Sequence, residues 1–122
     1  MSRPVFLYGT LLDPRVLARQ SGDPRLPRRV RAAVLHGYAR VEFRGTPYPT
    51  LVRRSGACVS GLVVRPPASA LAALSAYEGA CYALRPVRVL TRRGALRARA
   101  WMVPVRLAGC AEWAPAVPRR RA

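Results

Sequence analysis

Val87-Arg88-Val89-Leu90-Thr91-Arg92-Arg93-Gly94-Ala95-Leu96-Arg97-Ala98-Arg99-Ala100-Trp101-Met102 is the stretch that decides the fold. Val87 and Val89 alternate with Arg88, while Leu96, Ala98, Ala100 and Met102 alternate with Arg97, Arg99 and Trp101. Successive side chains of a strand point to opposite faces, so each run reads as a half-buried strand. Residues 91–94 lie between the runs and supply a turn ending in glycine, which makes the pair a hairpin. The alternation puts Trp101 on the arginine-bearing face, whereas Trp113 is expected in the core.

Residues 57–64 read as a further strand, stopped by Pro66-Pro67. Ser69 is placed to cap a helix whose apolar stripe, Leu71 and Leu74, ends near Tyr77. Residues 30–35 and 38–43 are apolar-rich and broken at Gly37, as one bent strand or two short ones. Residues 45–49 are turn chemistry, with Tyr48 extended because it precedes a proline. Residues 4–8 form a first strand, and Gly9-Thr10 the turn after it. Asp13 is an N-cap with Pro14 at the first helical position, opening a short helix to about Arg19. Residues 21–27 are loop. Beyond Pro104 the pattern dissolves, and residues 118–122 are expected to be a disordered basic tail. Five to seven short strands with two helices are compatible with a small barrel.

At 122 residues and 51% apolar content the chain suits a single domain, residues 1–117, with one core. Residues 5–12 are too short an apolar stretch to span a bilayer, so they read as a buried strand of a soluble, cytoplasmic protein. Cys58, Cys81 and Cys110 are odd in number and lack a Cys-x-x-Cys pair, which points to free thiols rather than disulfides or zinc. His36 is the single histidine and reads as a strand-end residue. With one histidine and no lysine, neither a two-histidine metal site nor a triad nor a phosphate-loop lysine can be built within one chain. No metal and no cofactor are expected.

The formal charge is +17, carried by 22 basic residues that are all arginine. Such a balance suits nucleic acid or anionic membranes. Abundant Ala, Pro and Val beside the arginines also fit a GC-rich coding background. The arginines are scattered in groups at Arg28-Arg29-Arg31, Arg53-Arg54, Arg92-Arg93 and Arg119-Arg120-Arg121, without interleaved aromatics. Composition and solubility are therefore preferred over a selected polyanion site.

Glu78 is one of five acidic residues. Leu71, Leu74 and Glu78 stand at i, i+3 and i+7, so a helix reaching that far places them on one core-facing stripe. Burial removes hydration from a carboxylate, and a helix C-terminus carries partial negative charge. Both raise the pKa toward the range useful for moving a proton near neutral pH. A helix that ends earlier leaves Glu78 turned outward to meet an arginine. Spacing alone leaves both readings open. Tyr8-Gly9-Thr10-Leu11 offers a complement, because Gly9 permits a sharp turn and the amides after it precede a helix, a cradle for a carboxylate. A plain strand-to-helix connection explains that segment equally well.

Four segments in order carry a family resemblance. Phe6-Leu7-Tyr8-Gly9-Thr10-Leu11 resembles an N-terminal Tyr-Gly-x-Leu loop, Tyr48-Pro49-Thr50-Leu51-Val52 a Tyr-Pro segment, and Gly61 a strand glycine. Leu74-Ser75-Ala76-Tyr77-Glu78-Gly79-Ala80-Cys81-Tyr82 resembles a Leu-Asp-x-Tyr-Glu-Gly-x-x-Tyr signature, followed by Val87-x-Val89. Over about residues 5–103 the chain is similar to the gamma-glutamylcyclotransferase-like, or AIG2-like, family. The resemblance implies an α+β fold, a small mixed β-barrel flanked by two or more helices with its site at one mouth. It implies Glu78 as general acid/base. It also implies that Tyr8, Gly9, Thr10 and Leu11 hold the glutamyl head group, with Tyr48 and Tyr82 at the pocket.

The implied reaction is intramolecular aminolysis of a γ-glutamyl amine or γ-glutamyl peptide, releasing 5-oxoproline. An intramolecular nucleophile already has a high effective concentration, so the protein need only fold the substrate and move protons. Ser75 stands where the family often has an acidic residue, Leu84 where it has an arginine, and Val64 where it has an aromatic. These departures leave the acid/base in place and bear on the substrate. Two other readings compete: a catalytically quiet module binding a small metabolite or a partner protein, and a basic β-barrel binding RNA.

Overall fold

Val5–Leu7 (β1), a strand of three residues, forms the seam of the fold in a computed structural model that describes residues 3–113. Arg31–Phe43 (β2) and Pro49–Val64 (β3) are the two long strands, and Ala83–Thr91 (β4) with Gly94–Met102 (β5) is the hairpin read from the sequence. The sheet runs β3-β1-β5-β4-β2, and β2 pairs back onto β3, closing a five-stranded barrel. The β1–β5 contact is parallel and the other pairings are antiparallel, so the barrel is mixed. Ala108–Glu112 (β6) adds onto the end of β2. Helices Pro14–Ser21 (α1) and Ala68–Glu78 (α2) pack outside.

Alternation sorts the side chains into two cores. Phe6, Tyr8, Leu35, Leu51, Val59 and Val89 point into the barrel, where Ala33, Ala98 and Ala100 fit its narrow bore. Val5, Leu7 and Trp101 point the other way, beneath Leu17 of α1 and Leu74 of α2. Trp101 does lie on the face that carries Arg97 and Arg99. The helices cover that face at its far end and leave the indole 3% exposed.

Asp13 caps α1 as expected, accepting the Arg15 amide at 2.9 Å. Residues 31–43 form one bent strand, with the register shifting at Gly37, whose φ of 82° a side chain would resist. Opposite that bend β3 bulges: Tyr38 pairs with Arg53 and His36 with Cys58, so β3 is longer than residues 57–64. The polar, exposed residues 53–56 carry no apolar alternation to announce a strand. Ser69 is not the cap of α2, which starts from Pro67 without a side-chain hydrogen bond.

Beyond Pro104 the chain forms a short 3-10 turn and then β6, held by pairing to β2 rather than by its own pattern. Trp113 is not core. It is half-buried, with its indole N–H donating to the Pro47 carbonyl at 2.8 Å and Arg40 over its ring. Cys58, Cys81 and Cys110 are free and exposed. Among the described residues no helix is long and apolar enough to cross a membrane. The tail expected at residues 118–122 lies outside the described residues.

Gly61 is where β3 crosses closest to β1. A Cβ there would meet the Leu7 carbonyl oxygen and lie 2.7 Å from Cζ of Phe6. Gly61→Ala is therefore expected to cost about 2–3 kcal/mol, read as a lowered urea midpoint with an unchanged slope.

Candidate active site

The carboxylate of Glu78 reaches the barrel mouth because α2 runs the length of the barrel and ends there. Leu74, one turn earlier, is fully buried and anchors the helix. Gly79 then terminates it at φ 91°, its amide donating to the Ser75 carbonyl at 3.2 Å. The same mouth collects the end of β1, the start of β3 and the end of β5. Tyr8, Gly9, Thr10 and Leu11 line one side of a single cleft. Tyr48, Glu78 and Tyr82 line the rest, so every site residue expected from the sequence meets there.

Among the described residues Glu78 has no ion-pair partner, despite 22 arginines in the chain. Its carboxyl is largely buried, and desolvation pushes its pKa from 4.5 up to about 7. It also bears on its neighbours. Burial raises the Tyr82 phenol, and the nearby Glu78 charge raises it further. Burial likewise pushes the Tyr8 phenol well up, with Tyr82 and Glu78 adding to the effect. Both tyrosines are thus neutral donors beside one group that titrates near neutrality.

The loop after β1 is fixed from three sides. The Tyr8 hydroxyl donates to the Trp101 carbonyl. Gly9 sits so close to the Tyr-Pro segment that a Cβ would lie 2.8 Å from Cγ of Pro49. Thr10 Oγ1 and the Tyr77 hydroxyl, 2.9 Å apart, tie the loop to α2 one residue before Glu78. A 3-10 turn, Thr10–Leu12, follows and closes through the Leu12 and Asp13 amides at 3.0 and 3.2 Å. The Thr10 and Leu11 amides ahead of them are first-turn donors, which such a helix leaves without a partner of its own. Tyr82 donates its hydroxyl to the Pro49 carbonyl at 2.6 Å and meets the Phe43 ring edge-on, while Tyr48 stands 49% exposed at the rim.

Three supporting residues are not legible as such in the sequence. Trp101 lines the cleft from β5. Thr50, fully buried, takes the Val103 amide at 3.1 Å and bears on the Tyr8 phenol. Arg40 donates to the Tyr8 carbonyl at 2.8 Å from behind the loop and to the Trp113 carbonyl at 3.3 Å. Strand alternation marks the face of each but not what covers it. Of the three departures from the family pattern, Leu84 packs in the outer core opposite Trp101 and Ser75 is half-buried on α2. Val64 pairs with Val5 at the other end of the barrel. Arg85, next to Leu84, is exposed and does not line the cleft.

Comparison with known proteins agrees with the fold. A family profile described as gamma-glutamyl cyclotransferase, AIG2-like, matches residues 5–116. Protein AIG2 C of Arabidopsis thaliana is 39% identical over 66 residues, covering 52% of this chain and 36% of that protein. A solution structure of an A. thaliana protein superposes with a TM-score of 0.72 at 29% identity, over 84% of this chain and 62% of its own. The chain therefore spans about a third of the first relative and less than two thirds of the second. A solved gamma-glutamyl cyclotransferase shares the fold at 19% identity, with a TM-score of 0.71 over 85% of this chain and 68% of its own. A mouse AIG2-like protein shares it at 15% identity, with a TM-score of 0.63 over 97% of this chain and 99% of its own.

The elevated carboxyl has a consequence for stability. In the unfolded chain Glu78 titrates near its ordinary value of about 4.3, and in the folded protein at about 7. The folded state holds the proton more tightly, so this contribution is complete below pH ~4.3 and lost as the pH rises to about 7. Glu78→Gln removes that dependence. The variant is expected to gain about 3 kcal/mol over the native protein between pH ~4.3 and 8, seen as a widening gap in Tm.

Proposed function

Because the chain belongs to the gamma-glutamyl cyclotransferase, AIG2-like, family, we propose that it is a cofactor-independent cyclotransferase releasing 5-oxoproline from a γ-glutamyl substrate. The observation that carries this reading is an isolated, largely buried carboxyl with a pKa of about 7, sharing one cleft with the loop after β1. An α-ammonium titrates near 8, so a carboxylate at 4.5 would accept its proton at a cost of about 4–5 kcal/mol. At about 7 that cost falls to roughly 1–1.5 kcal/mol.

In this mechanism the Thr10 and Leu11 amides hold the substrate's α-carboxylate, and Glu78 takes a proton from the α-ammonium. The freed nitrogen attacks the γ-carbonyl, forming the ring C–N bond. Collapse of the tetrahedral intermediate breaks the bond to the leaving nitrogen, which Glu78 protonates. Two protons pass in all from the attacking to the leaving nitrogen, giving 5-oxoproline and an ammonium ion, and Glu78 ends ionised as it began. Tyr8 and Tyr82, held neutral and hydrogen-bonded to carbonyls, shape the walls.

Among the described residues the lining contains no arginine to meet a second carboxylate. A leaving amine without one therefore fits better than a peptide that carries one beside the scissile bond. A cytoplasmic setting, compatible with three exposed free thiols, belongs to the same proposal.

Glu78→Gln tests the assignment. Release of 5-oxoproline from γ-glutamyl amines should fall at least about 100-fold in kcat/KM, with the fold retained by circular dichroism. The native rate should drop as the pH falls below about 7, where Glu78 becomes protonated. A variant as active as the native chain would remove Glu78 from the chemistry. A native chain that binds a γ-glutamyl amine without turnover would make this fold a metabolite-binding module.

A further inference from the structure

The barrel has a second mouth, and its chemistry is the reverse of the first. The start of β1, the start of β2, the end of β3 and the turn between β4 and β5 all meet there, as the strand registers require. Between them lies a groove of about 520 Å³. Arg29, Arg31, Arg65 and Arg93 line it, brought together from three separate segments of the chain, and no carboxylate does. Arg92 continues the same surface beside Arg31 and Arg93. Among the described residues the lining of the cleft around Glu78, equal in number, includes no arginine, and Arg40 stays behind the loop at the Tyr8 carbonyl. A uniform scatter of arginine from coding bias accounts poorly for four lining this groove and none lining that cleft.

We propose that this second mouth binds a compact organic polyphosphate, of the size of a nucleoside triphosphate. Planar guanidiniums bind phosphate oxygens in pairs, and several converging on one groove suit a ligand with several phosphates. Arg29, Arg31 and Arg93 are exposed and have no ion-pair partner among the described residues, so their donors are available. Exposed Ala95 and half-buried Leu96 add apolar surface for the body of the ligand. The volume falls within the range of small-molecule sites. No aromatic side chain lines the groove, so bases of a single strand would find no stacking platform. That argues for a small polyphosphate over RNA. The inference stands apart from the cyclotransferase reading, since no residue is shared by the two sites.

Titration calorimetry of the whole chain at about 0.15 M salt, with adenosine triphosphate as probe, tests it. The native chain should bind one equivalent, and Arg31→Gln/Arg93→Gln should weaken binding at least about tenfold. Arg54→Gln/Arg88→Gln removes the same charge from exposed positions outside the groove and should stay within about twofold of the native affinity. Inorganic tripolyphosphate should bind more weakly than adenosine triphosphate, because it leaves the apolar surface unused. No binding, equal losses in both double variants, or equal affinity for the two probes would overturn the proposal. So would single-stranded RNA that displaces the nucleotide with a steep salt dependence.

Discussion

β1 is paired on both sides, antiparallel to β3 through Val5, Phe6 and Leu7 and parallel to β5 at Val5, and that double pairing closes the sheet. A sheet without it would leave β3 and β5 as open edges. The same three residues form the wall between the two cores, with Phe6 inside the barrel and Val5 and Leu7 beneath the helices. Closure also fixes where β1 ends. Its exit lies against the entrance of β3, so Gly9 touches Pro49 and the loop that follows is pinned at one mouth. Gly61 is the sequence's accommodation to this crowding, since only a residue without Cβ lets β3 pass the Leu7 carbonyl and the Phe6 ring.

The site follows from where α2 ends relative to that loop. An apolar anchor at Leu74 and a terminating Gly79 hold Glu78 at the mouth, largely buried and, among the described residues, without an ion-pair partner. Desolvation alone then sets its proton affinity. In so arginine-rich a chain, the absence of arginine from this lining among the described residues matters, because one guanidinium at contact distance would pull the carboxyl back down. The fold keeps the carboxylate and the arginine cluster at opposite ends of one barrel.

Features set by local rules are legible in the sequence. The β4–β5 hairpin follows from alternation and its glycine turn, and α1 from Asp13-Pro14. Features set by neighbours are not. Trp101 occupies the face that alternation assigns, but its burial comes from α1 and α2. Residues 53–56 lie where β3 bulges between two stretches paired to β2, and β6 is a strand because β2 pairs with it; neither has a pattern of its own. Trp113 looks like core by size and is instead held at the surface by Arg40 and Pro47. For Glu78, spacing could not choose between an arginine partner and isolation. The loop and carboxylate segments lie far apart in the chain, and only closure of the barrel shows that they share a cleft.

Everything at this mouth turns on Glu78 as a carboxyl without an ion-pair partner among the described residues, its proton affinity set by burial. A pH titration of its side-chain carboxyl carbon by NMR, assigned through Glu78→Gln, measures this without reference to any substrate. The expected midpoint is near 7. A midpoint near 4, as for an exposed or arginine-paired glutamate, would contradict it.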